Sequence, residues 1–148
     1  FQDPMINDSP YLALKVNADG CHLGQKDMSI KKAKKILKKK IIGVTCHNSI
    51  KLAKKALLDG ADYIALGAFY KSKTKKTIYK AHIKTLVNIK KSTNLPVVAI
   101  GGINEKNYKK LLLNKADFLA ISGYIWNNKK YKPHQAIKNL KWKLMQLK

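Results

Sequence analysis

Short apolar runs alternate along the chain with stretches whose apolar positions recur every three or four residues. The runs are Gly20-Cys21-His22-Leu23-Gly24, Ile41-Ile42-Gly43-Val44-Thr45, Tyr63-Ile64-Ala65-Leu66-Gly67, Pro96 to Ile100 and Phe118-Leu119-Ala120-Ile121, with a strand end at Ile6-Asn7-Asp8. Several of these runs are almost continuously apolar, as expected of strands covered on both faces in a parallel sheet. Between them, helix-period stripes follow Ser9-Pro10 (Tyr11, Leu12, Leu14, Val16), Ser29 (Ile30, Ala33, Ile36, Leu37) and Ser49 (Ile50, Leu52, Ala53, Ala56, Leu57, stopped by Gly60). Each serine stands where an N-cap would accept an amide of the first turn. Further helices are predicted over 79–91, over 104–113 with Asn104 at the N-cap, and after Pro133, where Ala136, Ile137, Leu140, Trp142 or Leu144, and Leu147 make the stripe. Strict alternation of strand and helix predicts an α/β fold with a parallel sheet. A weak repeat agrees: Ala18-Asp19, Ala61-Asp62 and Ala116-Asp117 each precede a strand that ends near a small residue. These aspartates fall at the sheet end opposite the strand exits and read as structural.

The 148 residues fit one domain over 5–148, with Phe1-Gln2-Asp3-Pro4 read as the remains of a tag before Met5. No apolar run approaches a membrane span and no signal peptide is recognised, so the expected location is cytoplasmic. Cys21 and Cys46 lack zinc-ligand spacing and read as buried thiols. His22, inside a strand, reads as a packed, satisfied histidine, and His47 as a polar loop residue. The formal charge of +23 invites a nucleic-acid reading, but all 31 basic residues are lysine. Sequence readers of nucleic acid favour the bidentate arginine fork, and these lysines are spread over solvated helix faces. A nonspecific, salt-sensitive attraction to anions is what remains.

Candidate chemistry gathers at the strand exits: Asn7, Asp8, Gln25, Asp27, Thr45, His47, Ser72, Thr74, Lys75, Gly102, Ser122 and Gly123. In a barrel of parallel strands these positions converge on one rim. Gly101-Gly102 allows close backbone approach to a phosphate, although an ordinary tight βα turn explains that pair as well. The chain has eight acids, and Asp8 and Asp27 stand at successive exits. A magnesium site accepts one or two carboxylates and completes its shell with water and substrate phosphate; helix caps or solvated loops are the plainer alternative.

Together, Ile6-Asn7-Asp8, Ala18 to Asp27, Gly43-Val44-Thr45-Cys46-His47, Ser72-Lys73-Thr74-Lys75 and Pro96 to Ile103 resemble thiamine phosphate synthase, in that family's order and spacing, from about Met5 to Trp126. The resemblance implies a TIM-type (β/α)₈ barrel, here incomplete, with about six of eight βα units and without the first two strands. It also implies a transferase that joins hydroxymethylpyrimidine diphosphate to thiazole phosphate and releases pyrophosphate. Under it, Asp8 and Asp27 would hold Mg²⁺, and Asn7, Thr45 and Lys75 would contact the diphosphate, with Lys75 and Thr45 as the catalytic pair. The segment Ser72-Lys73-Thr74 would bind the thiazole phosphate, and Gly102, Ser122 and Gly123 would offer it backbone N–H groups.

The chain departs from the family pattern in three places. Ala68-Phe69-Tyr70-Lys71 replaces a proline-rich turn. Ser122-Gly123 stands where the family has Ile-Ser. The strand whose glutamine, arginine and lysine grip the diphosphate is missing. Two open barrel edges imply a homo-oligomer, or a missing part supplied in trans. The rival readings are a remnant that binds phosphorylated ligands without turnover and a thiazole tautomerase that uses a histidine near His47.

Overall fold

The computed structural model describes residues 4–71 and 78–146. Among these residues, six parallel strands pair in chain order: β1 (Met5–Asn7), β2 (Gly20–Leu23), β3 (Ile41–His47), β4 (Tyr63–Leu66), β5 (Val97–Ile100) and β6 (Phe118–Ala120). The helices between and after them are α1 (Pro10–Lys15), α2 (Ile30–Leu37), α3 (Ile50–Leu58), α4 (Ile83–Ser92), α5 (Tyr108–Leu113), α6 (Gly123–Trp126) and α7 (Pro133–Met145). The sheet curls as an incomplete TIM-type barrel, with β1 and β6 as its two edges.

The three serine caps form as their chemistry requires. Ser9, Ser29 and Ser49 accept from the amides of Leu12, Lys32 and Leu52 at 3.2, 3.4 and 3.2 Å. Each such cap is worth about 1 kcal/mol against alanine. The apolar stripes bury Ala33 and Leu37 of α2, and Ala53 and Ala56 of α3, against the face of the sheet that carries Cys21, Leu23, Ile42, Val44, Cys46, Ile64, Leu66, Val97 and Ala99. Both cysteines are buried free thiols. The opposite, concave face carries the alternate positions, which are half-buried or exposed: Asn7, His22, Thr45, Tyr63, Val98 and Ile100.

The strand-entrance aspartates tie the layers together. Asp62 Oδ2 accepts from the Ile42 amide at 2.7 Å and from Lys34 Nζ at 2.6 Å. Asp117 Oδ2 repeats the arrangement with the Val97 amide at 2.7 Å and Lys90 Nζ at 2.8 Å. Each carboxylate thus joins its own strand to an amide at the start of the neighbouring strand, the second residue of β3 or the first of β5, and to a helix. Asp19 engages the same end through its backbone, its carbonyl accepting from Ile41.

Several expectations differ in detail. β3 runs on through Cys46 and His47, with a bulge between Thr45 and His47. α4 begins at Ile83 rather than 79, because the backbone of Tyr79 and Ala81 exchanges hydrogen bonds with Ala68. α5 begins at Tyr108 rather than 104: Asn104 caps no helix but uses its side chain to accept from the Lys106 amide in the preceding turn. On α7, Ala136 and Leu140 are buried, whereas Ile137 and Trp142 are exposed and Leu144 packs in their place. Trp126, on the short α6 that the periodicity does not reveal, is 71% exposed.

Candidate active site at the strand exits

Parallel strands bring their C-terminal ends to one rim, where a cleft of about 1060 Å³ opens. Asn7, Thr45, Gly102, Ser122 and Gly123 line it, with Lys26, His47 and Tyr79. The structure therefore brings together six of the strand-exit residues singled out in the sequence: Asn7, Thr45, His47, Gly102, Ser122 and Gly123. Ser72, Lys73, Thr74 and Lys75 lie outside the described residues.

At the first exit the chain turns off β1 at Asp8 (φ 68), whose amide donates to the His22 carbonyl at 2.8 Å. At the second, the Gly24 amide donates to Asp27 Oδ2 at 2.6 Å in a tight turn. Both aspartates are exposed, and they flank the cleft through their neighbours Asn7 and Lys26 rather than lining it themselves. Burial pushes the His22 pKa below its ordinary value, while Asp8 and Asp27 both pull it upward. Both carboxylates therefore lie within electrostatic reach of one imidazole. Four acids (Asp59, Asp62, Glu105 and Asp117) are ion-paired with lysines. Neither Asp8 nor Asp27 has such a partner among the described residues, in a chain with 31 lysines. Two unpaired hard oxygen donors suit a divalent cation. Among the described residues no cluster of three or more His, Cys, Asp or Glu could hold a metal.

Thr45 sits at the third exit. Its carbonyl accepts from Gln25 Nε2 at 2.5 Å, and its hydroxyl lies 2.8 Å from His22 Nε2. The other imidazole nitrogen, Nδ1, lies 2.8 Å from the Tyr63 hydroxyl. His22 is thus satisfied on both sides, as its position in a strand suggests. His47 stacks on Tyr79 with ring centroids 3.8 Å apart, so it is held as part of the cleft wall instead of a loose loop.

The glycine pair has a definite geometry. Gly101 and Gly102 adopt φ of 94° and 66°, and a Cβ on Gly102 would fall 2.5 Å from the Lys71 carbonyl oxygen. Only glycine fits there. An asparagine clamp fixes the turn: Asn107 Nδ2 donates to the Gly102 carbonyl at 3.1 Å, and the Asn104 amide donates to Asn107 Oδ1 at 2.9 Å. On the far side, Tyr124 completes the wall. Asn139 of α7 reaches back to its hydroxyl at 2.8 Å and to Glu105 Oε2 at 2.6 Å.

Several of these groups escape a reading of the sequence. Tyr63 looks like a core strand residue, and only the neighbouring strand's Gly43, a glycine inside a β-run, hints that a ring lies across it. The asparagine clamp and the reach of α7 connect distant segments and leave no local pattern.

Known proteins can be set beside this geometry. The sequence profile described as thiamine monophosphate synthase matches residues 3–125. The thiamine-phosphate synthase of Pelagibacter ubique (strain HTCC1062) is 72% identical over 137 residues, covering 93% of this chain and 66% of that protein. That of Nitrosomonas eutropha is 45% identical over 124 residues, 82% of this chain and 58% of the relative. The chain therefore spans less than two thirds of the length of either. A thiamine phosphate pyrophosphorylase from Pyrococcus furiosus superposes with a TM-score of 0.86 at 31% identity, covering 96% of this chain and 67% of that one. With most of its residues inside the matched profile, the chain belongs to the thiamine monophosphate synthase family.

Proposed function

We propose that the chain carries the thiamine phosphate synthase reaction: hydroxymethylpyrimidine diphosphate and thiazole phosphate condense, and pyrophosphate leaves. The observation that carries this reading is the convergence on one cleft of Asn7, Thr45, Gly102, Ser122 and Gly123, beside two carboxylates that have no lysine partner among the described residues.

Asp8 and Asp27 would hold Mg²⁺, which when bound neutralises diphosphate charge. Asn7 and the Thr45 hydroxyl offer hydrogen bonds to the diphosphate, and Lys75 takes up the negative charge that develops on the leaving group. Backbone N–H groups of Gly102, Ser122 and Gly123, with Ser72, Lys73 and Thr74, hold the thiazole phosphate. The thiazole nitrogen then attacks the pyrimidine methylene carbon as its bond to the diphosphate oxygen breaks. The electron pair leaves with pyrophosphate, and no protein nucleophile is required. Most of the catalytic task is holding two charged substrates in register, which can lower a barrier by about 7–11 kcal/mol. Among the described residues β1 and β6 each pair with a strand on one side alone, and a homo-oligomer that covers the two edges, in the cytoplasm, completes the proposal.

Formation of thiamine phosphate from both substrates with Mg²⁺, lost in Asp27→Ala, is the expected result. Binding of thiazole phosphate with no turnover under any magnesium concentration would assign the chain to ligand binding instead.

A further inference from the structure

We propose that Tyr63 and His22 form a positioning relay that turns the Thr45 hydroxyl into a proton donor facing the cleft, toward a phosphoryl oxygen. This deepens the diphosphate reading above and rests on it.

The relay begins with strand register. Asn7, His22, Gly43 and Tyr63 form one cross-strand row over β1 to β4. Paired positions in a row share a face of the sheet. Gly43 lies between the histidine and the tyrosine, and a Cβ there would fall 1.9 Å from Tyr63 Cζ. The missing side chain lets the phenol ring pass over β3, so the two rings lie 5.5 Å apart between centroids at an angle of 26°. The hydroxyl thereby reaches His22 Nδ1 at 2.8 Å across a strand that separates them.

Proton accounting follows the chain of contacts. Burial pushes the Tyr63 phenol up to about 12, so it keeps its proton at neutral pH. Among the described residues His22 Nδ1 is its one hydrogen-bond partner, so that proton goes to Nδ1. A neutral imidazole accepting at Nδ1 carries its own proton on Nε2. Nε2–H then donates to Thr45 Oγ1 at 2.8 Å. A hydroxyl that accepts from the imidazole keeps its single proton for another acceptor, and Thr45 lines the cleft. A doubly protonated ring would orient Thr45 the same way, with Nδ1–H then donating to the phenol oxygen, so the direction of the Thr45 hydroxyl does not depend on the charge of His22. The opposite tautomer would strand the phenol proton and turn threonine lone pairs toward an anion, which repel it.

Selective ¹⁵N labelling of the four histidines, with His22→Gln to assign the signal, reads which ring nitrogen carries the proton. Protonated Nε2 with bare Nδ1 is expected in the unmodified chain, and a mixture of tautomers in Tyr63→Phe. Protonated Nδ1 with bare Nε2 overturns the relay. The second arm is titration with inorganic pyrophosphate and Mg²⁺. Thr45→Val and Tyr63→Phe should each weaken binding about tenfold, the scale of one hydrogen bond to a charged group. The double variant should be little worse than either single one, since the two residues act through one hydroxyl. Additive losses, or full affinity in Tyr63→Phe, overturn it. If the unmodified chain takes up no pyrophosphate, the diphosphate reading fails, while the ring-nitrogen signals still decide the orientation of Thr45.

Discussion

Asp117 shows what a carboxylate does in this fold when it holds the structure together. Its Oδ2 joins the Val97 amide to Lys90, and although burial raises its pKa, those two partners hold it below the ordinary 3.8 on balance. A depressed pKa in the folded chain stabilises at all pH values above the ordinary one. That contribution is lost as pH falls below 3.8 and through the lowered value. Asp117→Asn should therefore cost stability at pH 7, under about 1 kcal/mol given the partly solvated pair, with the gap closing toward pH 3 in urea melts. A gap of constant size across that range would show that ionisation is not the source. Asp27 is the contrasting case, with one oxygen on the Gly24 amide and no lysine partner among the described residues. Asp27→Asn should leave the melting temperature within a few degrees while removing the effect of added Mg²⁺ on it. A magnesium response equal to that of the unmodified chain would remove Asp27 from the ion's ligands. Gly43 is constrained by its neighbour's ring instead. Alanine in a strand normally gains about 0.5–1 kcal/mol over glycine. Here the new methyl would overlap Tyr63 at 1.9 Å, and overpacking costs about 1–3 kcal/mol. The clash wins, so Gly43→Ala should melt lower than the unmodified chain.

At the scale of elements, what could be read from the chain was whatever local chemistry decides. Ser9, Ser29 and Ser49 announce three helix starts because a serine hydroxyl satisfies an amide two or three residues on. The β-runs are legible because burial on both sides demands continuous apolar residues. The starts of α4 and α5 were not legible, since Ala68 and Gly102 decide them from distant positions. Ala68 draws the backbone of Tyr79 and Ala81 into its own hydrogen bonds, and the Gly102 carbonyl accepts from the Asn107 side-chain amide. The site divides the same way: the exits of Asn7, Thr45 and Gly102 follow from topology, whereas Tyr63 and Asn139 reach the rim across strands or from another helix. The dependence of the rim on α7 gives a prediction. Asn139 links that helix to both Tyr124 and Glu105, Lys143 pairs with Glu105 at 3.7 Å, and Tyr108 adds a bond to the Lys143 carbonyl at 2.8 Å. Asn139→Ala should cost about 1–2 kcal/mol in denaturant melts, two hydrogen bonds with partial rescue by water. An unchanged midpoint would mean that α7 is held by its other contacts, through Ala136, Leu140, Leu144 and Lys143, without the Asn139 bonds.

For the whole molecule, the net charge of +23 and the two open sheet edges pull in opposite directions. Pairing of β1 or β6 with another copy would satisfy backbone groups and cover Phe118, which is 59% exposed on β6. It would also bring two strongly positive chains together. Repulsion between solvated lysines is screened beyond about 10 Å at 0.1 M salt and beyond about 3 Å at 1 M, so self-association should strengthen as salt rises. Nonspecific attachment to nucleic acid runs the other way, because it is driven by counterion release and falls steeply between about 50 and 200 mM salt. One set of light-scattering and DNA-retention measurements across that range and on to about 0.5 M tests both. The expected pattern is DNA bound only at low salt and a mass that climbs from monomer toward dimer at high salt, with no magnesium requirement for either. A clean monomer at micromolar concentration in high salt would show that this chain leaves its edges uncovered by its own copies. DNA binding that survives in high salt would instead mean that the lysines form a dedicated nucleic-acid surface.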